Sequence, residues 1–306
     1  MPRPGSSPYP GLSIEEKEEN FSRIANRHPC FSGSAALNRG RVHLPVSPAC
    51  NIRCRFCKRS FNKTEERPGV SAALLKPAEA AALAGRALEL CPEITVAGIA
   101  GPGDTLATGH ALETFRLIHQ EYPALINCLS TNGLLLERRA ADLVQAGVKT
   151  ITVTMNAVDP AVLEKICSHV VLDGLVYTGR AGAALLIEAQ KRGIEKAARL
   201  GALIKVNAVL IPSINGEHIR AIARAAAEHG AALINIIPLI PQFEMADLPR
   251  PGCEELSRAR SAAEEWLPVF RHCRHCRADA CGVLGQRDLS ALLYGGRRFA
   301  ETFSHG

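Results

Sequence analysis

Cys50, Cys54 and Cys57 stand in the run Cys50-Asn51-Ile52-Arg53-Cys54-Arg55-Phe56-Cys57, three thiols separated by three and then by two residues. Three soft thiolates at that spacing can hold three irons of a cubane iron–sulfur cluster. The fourth iron then has no protein ligand and is open to a small molecule. A site made only for electron transfer would supply a fourth cysteine. The run follows the apolar stretch Val42 to Val46, as a strand-to-loop site should. A zinc knuckle and scattered buried cysteines are the competing readings.

More thiols are present than one cluster needs. Cys30 follows His28-Pro29, Cys128 lies near the end of a predicted strand, and Cys273 and Cys276 form a Cys-x-x-Cys pair. Such a pair can bind zinc, act as a redox couple or hold a cluster, and His272 or His275 would complete a zinc set. Cys91, Cys167 and Cys253 fall in or beside predicted helices and read as ordinary residues. Cys281 is open between ligand and core residue.

These groups need a scaffold, and the chain of 306 residues, 47% hydrophobic, is long enough to build one. Short apolar runs predict strands at Val42–Val46, Ile94–Ile99, Leu125–Leu129, Thr150–Met155, Leu203–Leu210 and Leu233–Pro238. Between them, helical periodicity covers Ser71–Leu90, Gly109–Glu121, Leu134–Gln145, Ala181–Arg199 and Gly216–His229. That alternation predicts an α/β fold with a parallel sheet and right-handed crossovers, a complete or partial barrel with its chemistry at the C-terminal strand ends. The segment Phe243–Cys253, with its prolines and glycine, reads as a break. The expected organisation is an N-terminal extension over 1–40, a barrel over 41–240 and a C-terminal tail over 241–306 carrying the Cys-x-x-Cys pair.

Polar residues recur at the predicted strand ends. Gly101, Gly103 and Asp104 follow the second strand, and the glycines would let backbone groups approach a ligand. Ser130, Thr131 and Asn132 follow the third, Asn156 the fourth, and Asn207 and Ile211 belong to the fifth. Each alone fits turn or cap chemistry; together, on the face bearing the cysteines, they mark a shared cofactor pocket.

Composition narrows the setting. No run of eighteen apolar residues occurs and Met1 to Pro10 has no apolar core, so neither a membrane span nor a secretory signal is expected. Eleven cysteines without an export signal argue for metal ligation in a reducing compartment, the cytoplasm. The net charge of +6 is modest, and basic residues crowd the cluster loop (Arg41, Arg53, Arg55, Lys58, Arg59, Lys63). They suit either an acidic electron donor or a solvated loop. Aromatic residues total only 5%, too few to interleave with these charges for nucleic-acid binding.

The cysteine triad resembles the radical S-adenosylmethionine (SAM) superfamily, in which the open iron binds the amino and carboxylate groups of SAM. His28-Pro29-Cys30, Arg41 to Val46, Cys50 to Cys57, Arg67-Pro68-Gly69-Val70, Gly98 to Asp104, Cys128 to Gly133, Val206-Asn207, Leu210-Ile211-Pro212 and Cys276 to Ala280 together resemble the NifB family, in its short form without an appended carrier domain. The likeness runs from about His28 to Gln286. It implies a radical SAM (β/α)6 partial TIM barrel with N- and C-terminal extensions. It also implies a SAM-binding 4Fe–4S cluster and one or two auxiliary 4Fe–4S clusters. The implied reaction is maturation of a nitrogenase-type cofactor: two four-iron clusters are fused around a carbide that arrives as a methyl group from SAM. By resemblance, Cys30, Cys128, Cys273 and Cys276 hold auxiliary clusters, His28 or His43 supplies a nitrogen ligand, and Glu65 or Glu66 contacts SAM or moves a proton.

Implied partners are a low-potential electron donor of ferredoxin or flavodoxin type, a cluster donor and a downstream cofactor carrier. Two departures stand out. Family members carry a further cysteine between the triad and Arg67-Pro68-Gly69, where this chain reads Lys58 to Glu66 with no thiol, and Cys281 takes a place expected to be apolar. A divergent radical SAM enzyme with one auxiliary cluster, acting on a peptide or small molecule, and a non-enzymatic iron–sulfur scaffold remain alternatives.

Overall fold

The six strands of the sequence pattern form one parallel sheet in a computed structural model that describes residues 14–286 and 288–295. They are β1 (Gly40–His43), β2 (Ile94–Ile99), β3 (Ile126–Thr131), β4 (Val148–Thr154), β5 (Leu203–Leu210) and β6 (Leu233–Pro238), and β7 (Cys281–Val283) pairs antiparallel to β1. The order is β6-β5-β4-β3-β2-β1-β7, with every pair from β1 to β6 parallel. β6 and β7 are the two edges, so the sheet is an open, partial barrel.

Each strand alternates faces, and this alternation separates core from site. Val42, Leu129, Ile151, Ile204, Val206 and Ile234 are buried in one apolar cluster with helix residues such as Leu83, Phe115 and Leu143. The opposite face is polar. Register places Ser130 beside Thr152 and Thr152 beside Lys205, and a second row joins Thr154, Asn207 and Asn235. The interior is therefore a functional lumen, not the hydrocarbon-filled core of a closed barrel.

Segments on either side of the six-stranded sheet in sequence close this lumen from below. Ile24 and Ala25 of helix Ile14–Ala25 join Phe31 and Phe270 in a cluster with Val96, Ile126, Leu203 and Leu233, near the starts of four strands. Helix Cys253–Glu264 leads into the segment carrying Phe270 and the Cys-x-x-Cys pair.

Several boundaries differ from those read in the sequence. β1 begins at Gly40, two residues before the predicted Val42. The helix predicted from Ser71 begins at Pro77, because Val70–Ser71 pairs with Ser60–Phe61 and Pro77 suits a first helical turn. Gly216–His218 is a 3₁₀ turn ahead of helix Ile219–Glu228. The hairpin Cys167–Leu172/Leu175–Thr178 was not anticipated; it pairs antiparallel with Ile52–Cys54 of the cysteine loop. Among the described residues, no helix is long and apolar enough to cross a membrane.

Candidate active site

Backbone hydrogen bonds strap the cysteine loop to the end of β2. Gly103 N donates to Ser47 O and Asp104 N to Ala49 O, each at 2.8 Å. A Cβ on Gly103 would overlap the backbone carbonyl of Ala49, so only glycine allows this approach. Gly103 thus lines the cavity and also lets the cysteine loop close onto the end of β2.

Asp104 extends the strap to β3. Its buried carboxylate accepts from Asn132 N (2.5 Å), Leu106 N (2.9 Å) and the Thr131 hydroxyl (3.0 Å). Burial pushes its pKa up, against the opposing pull of these donors. Asn132 Nδ2 then donates to Asn51 Oδ1 at 2.7 Å, inside the triad run. Gln190, which the sequence pattern did not single out, donates to the carbonyls of Asn132 (2.7 Å) and Thr154 (2.9 Å). Asn156 Oδ1 accepts from Val209 N, while Asn215, also unanticipated, donates to Asn156 O and Val209 O. The polar residues at the strand ends thus bind one another and hold the rim rigid.

Cys50, Cys54 and Cys57 line one cavity of about 300 Å³ together with Ser130, Thr131, Asn132, Asn156 and Asn207. Burial, followed by the charge of Asp104, pushes the Cys50 thiol up to about 12. Burial and the neighbouring Cys167 hold Cys54 well above the ordinary thiol range. Such a pocket disfavours free thiolates, so their ionisation needs cationic partners, which bound iron would supply. Among the described residues no three His, Cys, Asp or Glu side chains converge on a single-ion position. The thiols instead border a shared space, which suits a polynuclear group better than one zinc ion.

The same cavity continues down to His28, Cys30, His43, Cys128, Cys273 and Cys276. Burial pushes Cys30 up to about 12; Lys205 opposes that shift, and the thiols of Cys276, Cys128 and Cys273 add to it. Lys205 donates to Cys30 O at 3.1 Å and lies over the rings of Phe31 (5.0 Å) and Phe270 (5.3 Å). Arg41 reaches Cys276 Sγ at 3.2 Å and Gly282 O at 2.6 Å. The two histidines differ. His28 Nδ1 accepts from Cys30 N (3.1 Å), so in the neutral ring its Nε2 carries the hydrogen, and that atom is buried without a partner. His43 Nδ1 faces the Arg277 carbonyl (2.8 Å), which only accepts, so the lone pair of His43 lies on Nε2.

Four of the residues singled out from the sequence lie apart from this space. Glu65, Glu66, Gly101 and Ile211 do not line the cavity. Glu65 accepts from Asn62 Nδ2 and Arg67 Nε; burial works against its ionised form, but these donors outweigh it and lower its pKa. Asn62 also accepts from the N–H groups of Thr64 and Glu65, so the thiol-free segment is a self-satisfied polar turn. Arg277, ion-paired with buried Asp279, donates to Asn62 O and Glu65 O and fixes the Cys-x-x-Cys segment to this turn. Cys281 is fully buried beside Val42 in the apolar core, outside the cavity. Cys167 is the opposite case: read as ordinary, it lines the cavity beside the triad.

A curled parallel sheet with a three-thiol loop after its first strand defines the radical SAM class. The family profile of the Radical SAM superfamily matches residues 44–226, and the protein is a radical SAM enzyme. Its fold is similar to the crystal structure of methylornithine synthase (PylB), with TM-score 0.52 and 12% identity over 84% of this chain and 71% of that one. It is also similar to native anSMEcpe with bound AdoMet, with TM-score 0.51 and 14% identity over 75% of this chain and 63% of that one.

In sequence the chain is 48% identical over 276 residues to the FeMo cofactor biosynthesis protein NifB of Methanocaldococcus infernus, covering 90% of this chain and 91% of that protein. It is 40% identical over 270 residues to the protein of that name from Klebsiella pneumoniae, spanning 86% of this chain and 58% of the relative. The chain belongs to the NifB family.

Proposed function

We propose that the protein is a cofactor maturase that methylates and fuses two four-iron clusters into an eight-iron, carbide-containing precursor of a nitrogenase-type cofactor. The observation that carries this reading is the single cavity. Its upper wall holds Cys50, Cys54 and Cys57, and its lower wall holds Cys30, Cys128, Cys273 and Cys276 from three separate chain segments. The relatives' shared name, FeMo cofactor biosynthesis protein, supports it.

On this reading the triad holds the SAM-binding 4Fe–4S cluster, which supplies reductive cleavage of SAM. The chain's own residues place the reactants. The Asp104–Asn132–Asn51 strap fixes the triad loop, and Gln190 closes the rim behind it. Cys128 and the Cys273/Cys276 pair hold substrate iron, with Arg41 and Lys205 balancing thiolate charge in a buried site. His43 offers the Nε2 lone pair as a nitrogen ligand, whereas His28 points a donor into the cavity. Exposed Lys58 and Lys63 beside the triad suit a low-potential donor of ferredoxin or flavodoxin type, and a cluster donor and a cofactor carrier complete the partners.

The self-satisfied turn at Asn62 favours a second reading, in which only one auxiliary cluster is held. Anaerobically reconstituted protein separates the two. About twelve irons per chain, with S-adenosylhomocysteine and 5′-deoxyadenosine formed from SAM and dithionite, support the maturase. About eight irons and no methyl transfer support the single auxiliary cluster. No SAM cleavage at all overturns both.

A further inference from the structure

Of the arginines around the triad loop, Arg53 lies over the Phe243 ring, Arg55 is ion-paired with Glu244, and Arg67 and Arg277 are saturated by the protein. Arg67 donates to Glu65, Lys58 O and Ser60. Arg277 donates to Asp279, Glu65 O and Asn62 O. Arg59, two residues past Cys57, has no hydrogen-bond partner among the described residues, and its Nε is buried without one. It lines the cavity, and the ionisable groups facing it are Cys57, Cys50, Cys54 and Asp104. Asp104 is already occupied by Asn132, Leu106 and Thr131.

Packing, not hydrogen bonding, holds this guanidinium in place. A Cβ on Gly69 would stand 2.7 Å from Arg59 Nη1, and one on Gly101 3.6 Å away. Gly69 has φ +78°, where side chains are rarely tolerated, so the turn after Arg67-Pro68 leaves room for the arginine head. Its buried Nε is left without an acceptor, and a donor cut off from water in this way is costly unless an acceptor completes it. The planar guanidinium fork matches an anionic acceptor presented from the cavity side.

We propose that Arg59 is an anion-binding residue of this cavity, its guanidinium taking the anionic face of the group held against the triad. Two sources present that chemistry: the carboxylate of bound SAM and the sulfides of the triad-bound cluster. The assignment rests on the radical SAM reading of the site and adds a residue to it. Gly69 and Gly101 then serve as the socket for Arg59, which gives the Arg67-Pro68-Gly69 sequence a role at the site although Arg67 itself points elsewhere.

The test compares wild type, Arg59→Gln and Arg59→Lys after anaerobic reconstitution, by iron content, equilibrium binding of SAM and of decarboxylated SAM, and SAM-free redox titration. A carboxylate partner predicts that Arg59→Gln weakens SAM roughly tenfold to a hundredfold and leaves the decarboxylated compound unchanged. A sulfide partner predicts a more negative cluster potential before SAM is added, or loss of triad iron that Arg59→Lys restores. Wild-type affinities, potential and iron content in Arg59→Gln overturn the proposal. So does iron loss in both variants with an equally lowered melting temperature, since that marks a packing role. A wild-type chain that binds neither iron nor SAM would refute the radical SAM reading itself, a failure separate from that of Arg59.

Discussion

Cys54 and Cys167 face each other across the antiparallel pairing of Ile52–Cys54 with Cys167–Leu172. Residues paired in such a ladder have Cα atoms about 4.5–5.5 Å apart, inside the range that a disulfide spans. The middle thiol of the triad is thus shadowed by a cysteine that the triad does not include.

Oxidation of the iron-free protein with diamide is expected to join Cys54 to Cys167, the two thiols giving their hydrogens to the azo group. Peptide mass spectrometry under non-reducing conditions should find the cross-linked pair. Cys167→Ala should abolish it while iron loading of the reduced protein stays at the wild-type level. Loss of triad iron in Cys167→Ala would instead make Cys167 a ligand.

Gly103→Ala forces a methyl group into the Ala49 carbonyl. Overpacking of this kind typically costs about 1–3 kcal/mol, and here the part that must move is the triad loop. The expected result is a lowered melting temperature together with selective loss of triad iron. Gly109→Ala, where a Cβ meets nothing within 4 Å, is the control and should leave both unchanged.

Lys205→Met keeps the stem between Phe31 and Phe270 and removes the charge beside Cys30. A positive charge favours the more reduced, more negative state of a nearby cluster, so its loss should make the auxiliary iron harder to reduce. Redox titration followed by electron paramagnetic resonance checks this; an unchanged potential would leave Lys205 a packing residue.

His218 Nε2 accepts from Val158 N at 3.0 Å, and burial lowers its pKa below the ordinary 6.5, with Asp159 opposing. The unfolded chain therefore takes up this proton at a higher pH than the folded one. Its contribution to stability is full above about pH 6.5 and falls away as pH drops through the folded pKa. Melting temperatures across pH 5 to 8 should show this decline in wild type and a flatter curve in His218→Asn.

Much of this architecture was legible because it rests on periodicity. β2, β5 and β6 begin and end where the apolar runs do, since strands buried on both faces along nearly their whole length leave a near-continuous hydrophobic signature. The triad and the lower thiols were legible by residue type. What escaped detection depends on distance in the chain. Cys167 belongs to a hairpin that pairs with the cysteine loop more than a hundred residues earlier, and local pattern carries no trace of that pairing. Gln190 lies on a helix face indistinguishable in sequence from a core position, and its role appears only when the carbonyls of Asn132 and Thr154 meet it. Glu65 was singled out for its charge, and its close sequence neighbours Asn62 and Arg67 take up that charge within one turn.

The central claim is that two iron sites with separate ligand sets share one cavity. Iron analysis with Mössbauer spectroscopy of the combined Cys50→Ala, Cys54→Ala, Cys57→Ala protein, reconstituted beside wild type, tests it most directly. The account predicts a loss of about four irons, retention of the iron held by the lower thiols, and no 5′-deoxyadenosine from SAM. Loss of all iron, or an iron content equal to wild type, would contradict it.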